Sequence, residues 1–467
     1  MKEKFVLIGA GSAYFTRKLV VDLIQRGEPL VLGLVDTDET ACRMAERLSA
    51  KMVALKGAPI EIQASTDRRD LLPGATAVIS MIAVGGRQAW EQDVAIPRNY
   101  GIYHPGGDTT MPAGTSRSLR VVPPAVAIAE DVLDLAPQAI YFNYSNPMAV
   151  VSRAIRKQTG ADVIGLCHGV NSVANYLAAL SGGDRSRFAY NAVGINHMTW
   201  FTETRVDGKD VTPRLRKVAG RNDARAEELA ASVDDSPEKE DLRREIRALQ
   251  PFCWRLFLLL GAFPACFDGH VVEFFPHLFR GRNSYFGMTL GLESEQHRAR
   301  EDETYARMQE EAFSDHPLPD DYCERIPGAR EDAIDIFYGM RADDGAVYSA
   351  NLPNRGRIPE LPDECIIEAP AAATAAGMRP LAQPPLSPGL LGTLATRFQW
   401  VEATVQAAVE GDRGKVVQAM ILDGAVDSFE TAQKLTDDLL AAQAQNLPQF
   451  AERAAGRRSR GHARMKQ

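Results

Sequence analysis

Apolar positions along the chain follow two alternating rhythms. Phe5 to Ile8 form an unbroken apolar run, which predicts a buried strand. Phe15, Leu19, Val20, Leu23 and Ile24 then repeat at three- and four-residue spacing, which predicts one face of a helix closed by Gly27. "LVLGLVD" (30–36), "ATAVISMIAVGG" (75–86) and "QAIYFNYSNP" (138–147) repeat the strand pattern, and "RMAERLSAKMVALKG" (43–57) and "PPAVAIAEDVLDLA" (123–136) repeat the helical one. Strands that are apolar throughout, alternating with helices, require a parallel sheet covered on both faces, so a doubly wound α/β unit is expected to about residue 165. Beyond "VIGLCHGV" (163–170) the strand signals thin out. The charged stretch 214–247 reads as solvated helix faces and a loop, and Leu391, Leu394, Phe398, Val405 and Ala408 mark a late core-facing helix, followed by Val416, Met420 and Leu439 in later pieces. No repeat of 20–50 residues is visible. The expected organisation is a doubly wound parallel-sheet domain, 1–190, and a mixed α+β domain, 191–467.

Composition narrows the class. With 467 residues, 45% hydrophobic and 24% charged, the chain can bury two or three layers of core. A net charge of -8 argues against a nucleic-acid binder. The longest apolar run, Leu256 to Phe263, is far below the roughly 18 residues of a membrane span. Met-Lys-Glu-Lys leads straight into a strand without a small-residue cleavage site, so no secretory signal is expected. Six cysteines at scattered positions suit a reduced, cytoplasmic protein better than a disulfide framework. The last sixteen residues carry Arg453, Arg457, Arg458, Arg460, Arg464 and Lys466, which read as a solvated tail, with an anion-binding arm as the alternative.

The candidate chemistry begins at "GAGS". Gly9 and Gly11 lie between a strand and a helix, where they permit a tight turn, and a pyrophosphate there would sit at the positive end of the helix. Tyr14 stands where a third glycine would complete the fingerprint. Asp36 closes the second strand, where a carboxylate accepts the ribose hydroxyls of NAD and repels the extra phosphate of NADP. This predicts a Rossmann-like, NAD-binding first half. Cys167 follows "DVIGL" and His197 follows "AYNAVGI", so each is expected at a strand end, where α/β sites form. Either residue alone would pass as core packing. Together at a cofactor crevice they would make a two-ligand metal site with open positions for substrate oxygens.

The motifs resemble glycoside hydrolase family 4, the NAD- and metal-dependent glycosidases. The similarity spans "GAGS", "LVD", "VGGRQAWEQDVAIPRNYG" (84–101), "LRVVP" (119–123), "NYSNPMAV", "CHGV", "GINHMTWF", "HVVEFFP" (270–276), "NLPNRGRIPELPDECIIEAP" (351–370) and "AVEGDRGKVVQAMILD" (408–423). The resemblance implies an architecture like that of lactate and malate dehydrogenases. It implies Cys167 and His197 as ligands of Mn²⁺ or another divalent metal, Asn146 as a contact to substrate hydroxyls, and Gly9, Gly11, Ser12 and Asp36 as the NAD site. It further implies α-glycoside hydrolysis through transient oxidation at C3, proton abstraction at C2, elimination and addition of water.

Asp268 is the expected base, with a loop-capping role as its alternative and Glu273 and Tyr285 as substitutes. His168 is the expected acid, or else a support for the metal ligands. Asp108, in "HPGGDTTMPAG", stands near the place of an acid in other members. "CHGV" is similar to the members acting on α-galacturonides or α-glucuronides. A uronate needs a cation, ideally an arginine with two parallel donors, and Arg87 is the named candidate among Arg87, Arg117, Arg120, Arg355 and Arg357. An α-glucosidase or α-galactosidase of the same family is the alternative, and a net NAD-dependent dehydrogenase of a small hydroxy compound is the alternative from another class. A carbohydrate partner and a homodimer or homotetramer are expected.

Overall fold

The computed structural model describes residues 2–12, 14–279, 284–324 and 331–451, with the side chains of 292–298 left aside. The basic C-terminal run from Arg453 lies outside the described residues. The first half contains β1 (Glu3–Ile8), β2 (Leu30–Val35), β3 (Ile60–Ser65), β4 (Ala77–Ser80), β5 (Ile140–Asn143) and β6 (Val163–Gly165). These strands are parallel and ordered 6-5-4-1-2-3, with the reversal in strand order between β1 and β4. Ligand crevices open beyond the carboxyl ends of strands at such a reversal. The predicted strands are present; β3 lacked a clear signal because it is an edge strand, buried fully at Ile60 alone.

The thinning of strands beyond residue 170 is corrected by the structure. β7 (Phe188–Ile195), β8 (Met198–Val206), β9 (Lys209–Asp210) and β10 (Phe263–Pro264) follow, then the small hairpin β11 (Ser284–Tyr285) and β12 (Met288–Thr289), then β13 (Val347–Pro353), β14 (Ile366–Thr374) and β15 (Gly377–Pro380). All but the hairpin join the same sheet through antiparallel pairs, in the order 10-8-7-14-13-6. One row of register crosses the middle of this sheet: Gly165, Asn351, Glu368 and Gly194. Cys167 lies two residues past the first of these and His197 three past the last, which is how two strands remote in sequence bring their ends together.

Helices cover both faces. The helix Thr16–Arg26 ends at Gly27 as expected, with φ +74°. The helix expected from Pro123 begins at Met111 and runs to Leu135 with both prolines inside it. Proline removes one backbone donor at each position, but Val121, Val122, Ala125 and Ile128 are buried around the pair, so the helix is held by packing. The late helix Pro388–Glu410 buries Leu394, Phe398, Val405 and Ala408. Among the described residues no helix is long and apolar enough to cross a membrane.

Candidate active site

The strand ends after β1, β5 and β6 and the β7–β8 turn line a cavity of about 710 Å³, whose wall includes Ser12, Asn146, Cys167, His168 and His197. Asp268 and Arg87 line it too.

The glycine turn is built for close approach. Gly9 has φ +88°, and a Cβ there would stand 3.0 Å from the Met81 carbonyl oxygen beyond β4. A Cβ on Gly11 would come within 2.6 Å of Ala41 Cβ and 2.9 Å of Asp36 Oδ2. The Gly11 N–H donates to Asp36 Oδ2 at 2.8 Å, and the Asp38 N–H donates to Asp36 Oδ1 at 3.1 Å, so the carboxylate at the end of β2 also ties down the turn. Ser12 Oγ accepts from the Tyr14 and Phe15 N–H groups at the entrance of the first helix. A turn stripped of Cβ atoms beside a helix N-terminus fits the pyrophosphate of a dinucleotide. Tyr14 is more than a missing glycine, since its hydroxyl lies 3.1 Å from His168 Nε2.

Cys167 Sγ and His197 Nε2 are 3.5 Å apart. His197 has φ +66°, a left-handed conformation that costs a non-glycine residue about 1–2 kcal/mol and turns its ring back toward β6. Its tautomer follows from the neighbouring bonds. The Thr109 hydroxyl lies 3.0 Å from Asp108 Oδ1 and 2.6 Å from His197 Nδ1. That hydroxyl owns one proton and donates it to the carboxylate, so it accepts from Nδ1–H, and Nε2 carries the lone pair that faces the Cys167 sulfur. A neutral imidazole with its distal nitrogen anchored is the ligand form of histidine. Burial lowers His197 to about 3 and raises the Cys167 thiol to about 12. A cation between them reverses the preference of the thiol, because metal charge stabilises the thiolate. The donor set therefore fits a divalent metal.

Further groups surround this pair. Cys266 and His270 offer ligand atoms that, with one from His197, lie within 4.8 Å of one another. The His197 and His270 rings are 4.2 Å apart at their centroids, and His270 Nδ1 is 3.5 Å from Asp108 Oδ1. The sequence reading passed over Thr109, Cys266 and His270. The i, i+2, i+4 run Cys266, Asp268, His270 was the available signal for the latter two.

Asp268 is buried. Its carboxylate accepts from the N–H groups of Phe252 at 2.9 Å and Cys253 at 2.8 Å, in the first turn of the helix Pro251–Leu260, and from the Tyr285 hydroxyl. Burial raises its pKa above the ordinary carboxylate value, while these donors lower it. Glu273 is not in the cavity wall. Its Oε1 holds the N–H groups of Gly106 and Gly107, which fixes the loop carrying Asp108 and Thr109, and burial, then the charge of Asp108, pushes its carboxyl up to about 7. His168 lines the cavity, and burial lowers its imidazole to about 4, so it is neutral at pH 7.

The arginines separate clearly. Arg120 forms a fully buried pair with Asp93 and is committed to it. Arg87 lines the cavity with its guanidinium shared between Glu91 and Asp302. Arg117 also lines it, donating from Nε to the Asn146 carbonyl at 3.0 Å. Arg355 and Arg357 are not in the wall.

Models of the family 4 glycosyl hydrolases match residues 4–182, and those of the family's C-terminal domain match residues 192–426. An α-galactosidase of Rhizobium meliloti (strain 1021) is 30% identical, over 96% of this chain and 90% of its own length. An α-galacturonidase of Bacillus subtilis (strain 168) is 28% identical, over 94% and 96% respectively. The crystal structure of a 6-phospho-α-glucosidase from gut microorganisms, in complex with NAD and Mn²⁺, superposes with a TM-score of 0.80 at 18% identity, covering 96% of this chain and all of that one. By both halves of its sequence, this chain is a member of glycosyl hydrolase family 4.

Proposed function

We propose that this glycosidase cleaves α-glycosides of a uronic acid, galacturonic or glucuronic, using NAD⁺ and a divalent cation such as Mn²⁺. The observation that carries the proposal is the convergence of the Cys167 sulfur and the lone-pair nitrogen of His197, 3.5 Å apart, in a cavity shared with Ser12 of the glycine turn. NAD⁺ supplies reversible hydride acceptance at C3 and the cation polarises the sugar oxygens, which together make the C2 proton removable.

The chain's own residues perform the remaining work. Gly9, Gly11, Ser12 and Asp36 hold the dinucleotide, Cys167 and His197 hold the cation, and Asn146 meets sugar hydroxyls. Asp268, joined to Tyr285 by a hydrogen bond, receives the C2 proton; its fixed carboxylate costs little reorganisation at that moment. Proton delivery to the leaving oxygen is assigned to His168 or Asp108, both on the cavity wall, and the neutral ring or the carboxylate must first take up from solvent the proton it delivers. The uronate carboxylate is assigned to a wall arginine. Arg87, shared between Glu91 and Asp302, and Arg117, which donates to the Asn146 carbonyl, are the two candidates.

The division at residue 190 is part of the proposal, supported by the two family models, which meet between residues 182 and 192. Each half then contributes one metal ligand. Six free thiols support a reducing, cytoplasmic setting. Leu259 and Phe429, 80% and 69% exposed, support assembly into a homodimer or homotetramer.

The test is a panel of aryl α-glycosides, both uronides included, assayed with NAD⁺ and Mn²⁺ under reducing conditions. Turnover of a uronide that stops on removal of either cofactor supports the proposal, and turnover that survives chelator and removal of NAD⁺ rejects it. Accumulation of NADH equal to product would favour a net dehydrogenase.

A further inference from the structure

Tyr14 stands where the dinucleotide fingerprint has its third glycine, and its side chain reaches from the β1 turn across to the β6 turn. The hydroxyl lies 3.1 Å from His168 Nε2, with the two ring centroids 5.6 Å apart, and both side chains line the cavity. Lys18, on the helix Thr16–Arg26, places Nζ 3.3 Å from the centroid of the Tyr14 ring. The buried Glu331 carboxylate is 3.8 Å from that ammonium. We infer that Tyr14 is a positioning residue whose hydroxyl donates to His168 Nε2 and fixes the neutral ring with its proton on Nδ1, so that His168 meets the sugar as a hydrogen-bond donor.

Two observations set the direction of the bond. Among the described residues the Tyr14 hydroxyl has one hydrogen-bond partner, so donation to His168 is the one use of its proton within the protein. The Lys18 ammonium over the ring face draws electron density from the phenol, which makes the oxygen a poorer acceptor and the O–H a stronger donor. A neutral imidazole has one N–H and one acceptor nitrogen, and with Nε2 accepting, the proton is on Nδ1. Nδ1–H is then the polar group of this ring left for substrate. A relay, in which Tyr14 passes its proton to Nε2 as Nδ1–H goes to the leaving oxygen, balances in protons but leaves a phenolate near Glu331. Burial first, then the charge of Glu331, raises the Tyr14 hydroxyl above its ordinary value and opposes that step. The hydroxyl therefore orients the ring without feeding it, and of the two groups named for proton delivery Asp108 is left with the task.

The role of His168 toward sugar rests on the proposed glycosidase reading, whereas its tautomer can be measured without substrate. The full-length chain, labelled with ¹⁵N at its eight histidines, is loaded with NAD⁺ and diamagnetic Mg²⁺, and the ring nitrogens are observed by two-bond ¹H–¹⁵N correlation at pH 7. His168→Gln identifies the His168 signals. The expected spectrum has a pyridine-like Nε2 and a pyrrole-like Nδ1, and Tyr14→Phe, which keeps the ring under Lys18 and removes the hydroxyl, shifts the pattern toward the other tautomer. KM in Tyr14→Phe is expected to rise about 3–10-fold, the worth of one hydrogen bond, with kcat largely retained. The melting curve establishes that the variant is folded. A pyrrole-like Nε2 in the wild type overturns the inference without need of any variant. Unchanged ring signals in folded Tyr14→Phe also overturn it. A fall in kcat at constant KM that recovers on a nitrophenyl glycoside would make Tyr14 and His168 a proton relay and overturn the donor role, leaving the glycosidase reading intact, while absence of any glycosidase turnover beside the expected spectrum would remove that reading and leave the tautomer standing.

Discussion

Thr109→Val tests the logic of the metal centre at a residue that touches neither cofactor nor substrate in the account above. Valine keeps the shape of threonine and removes the hydroxyl that links Asp108, at 3.0 Å, to His197 Nδ1, at 2.6 Å. His197 is 5% exposed, so water does not freely replace the lost partner. An unsatisfied buried donor costs about 1–3 kcal/mol, and loss of a partner behind a ligating histidine costs about 10–100-fold in metal affinity. These two figures agree, because each factor of ten is about 1.4 kcal/mol. The Mn²⁺ dissociation constant, read from the free-ion electron paramagnetic resonance signal during titration, should therefore rise by about 10–100-fold. Turnover at saturating Mn²⁺ should fall far less, NAD⁺ affinity should hold, and Thr109→Ser, which keeps the hydroxyl, should behave like the wild type. An unchanged Mn²⁺ affinity in Thr109→Val, or an equal loss in Thr109→Ser, would refute the assignment of Nε2 as the ligating nitrogen.

Other expectations follow from the same bonds. Asp268→Asn should abolish proton exchange at C2 and lose less stability than Asp268→Ala, since its amide oxygen keeps one of the two bonds that the Phe252 and Cys253 N–H groups make to separate carboxylate oxygens; Asp268→Ala should lose exchange and, in addition, about 1–2 kcal/mol of stability in thermal or denaturant melts. Between Asp108→Asn and His168→Gln, the variant that removes the leaving-group acid should recover activity on a nitrophenyl glycoside relative to an alkyl glycoside, because a good leaving group needs no proton. Arg120→Met should cost about 3–5 kcal/mol by leaving Asp93 as a lone buried charge, with no change in the ratio of uronide to hexoside turnover among the molecules that remain folded. The Asp423 carboxyl, buried behind Arg397, is pushed up to about 7. The folded state therefore favours its protonated form, and its contribution to stability is full below the ordinary carboxylate range and lost as pH rises through 7. Melts of Asp423→Asn should show a flatter decline across that window than the wild type.

What the sequence disclosed depended on distance along the chain. β1, β2, β4 and β5 are buried on both faces, so their apolar runs are continuous, and the glycine turn and Asp36 lie within one β–α–β unit. Cys167 and His197 were legible as strand ends. β13 and β14 were not legible as strands, because their buried residues include Asn351, Glu368 and a series of alanines in place of an aliphatic run. Those two strands bridge β6 to β7 and thereby bring Cys167 and His197 together. Thr109, Cys266 and His270 escaped notice for a related reason. Each is unremarkable within its own segment, and its meaning arises only where the loop held by Glu273 and the helix Asp268–Val271 converge on the β7–β8 turn.

In the proposed reaction hydride leaves C3 before the glycosidic bond breaks, which makes the C2 proton exchangeable beside Cys167 and His197. Hydrolysis of a substrate glycoside in deuterium oxide, with NAD⁺ and Mn²⁺, followed by nuclear magnetic resonance of the released sugar, measures this directly. The predicted result is deuterium at C2 with no net NADH, and a sugar released with its C2 hydrogen fully retained would contradict the claim.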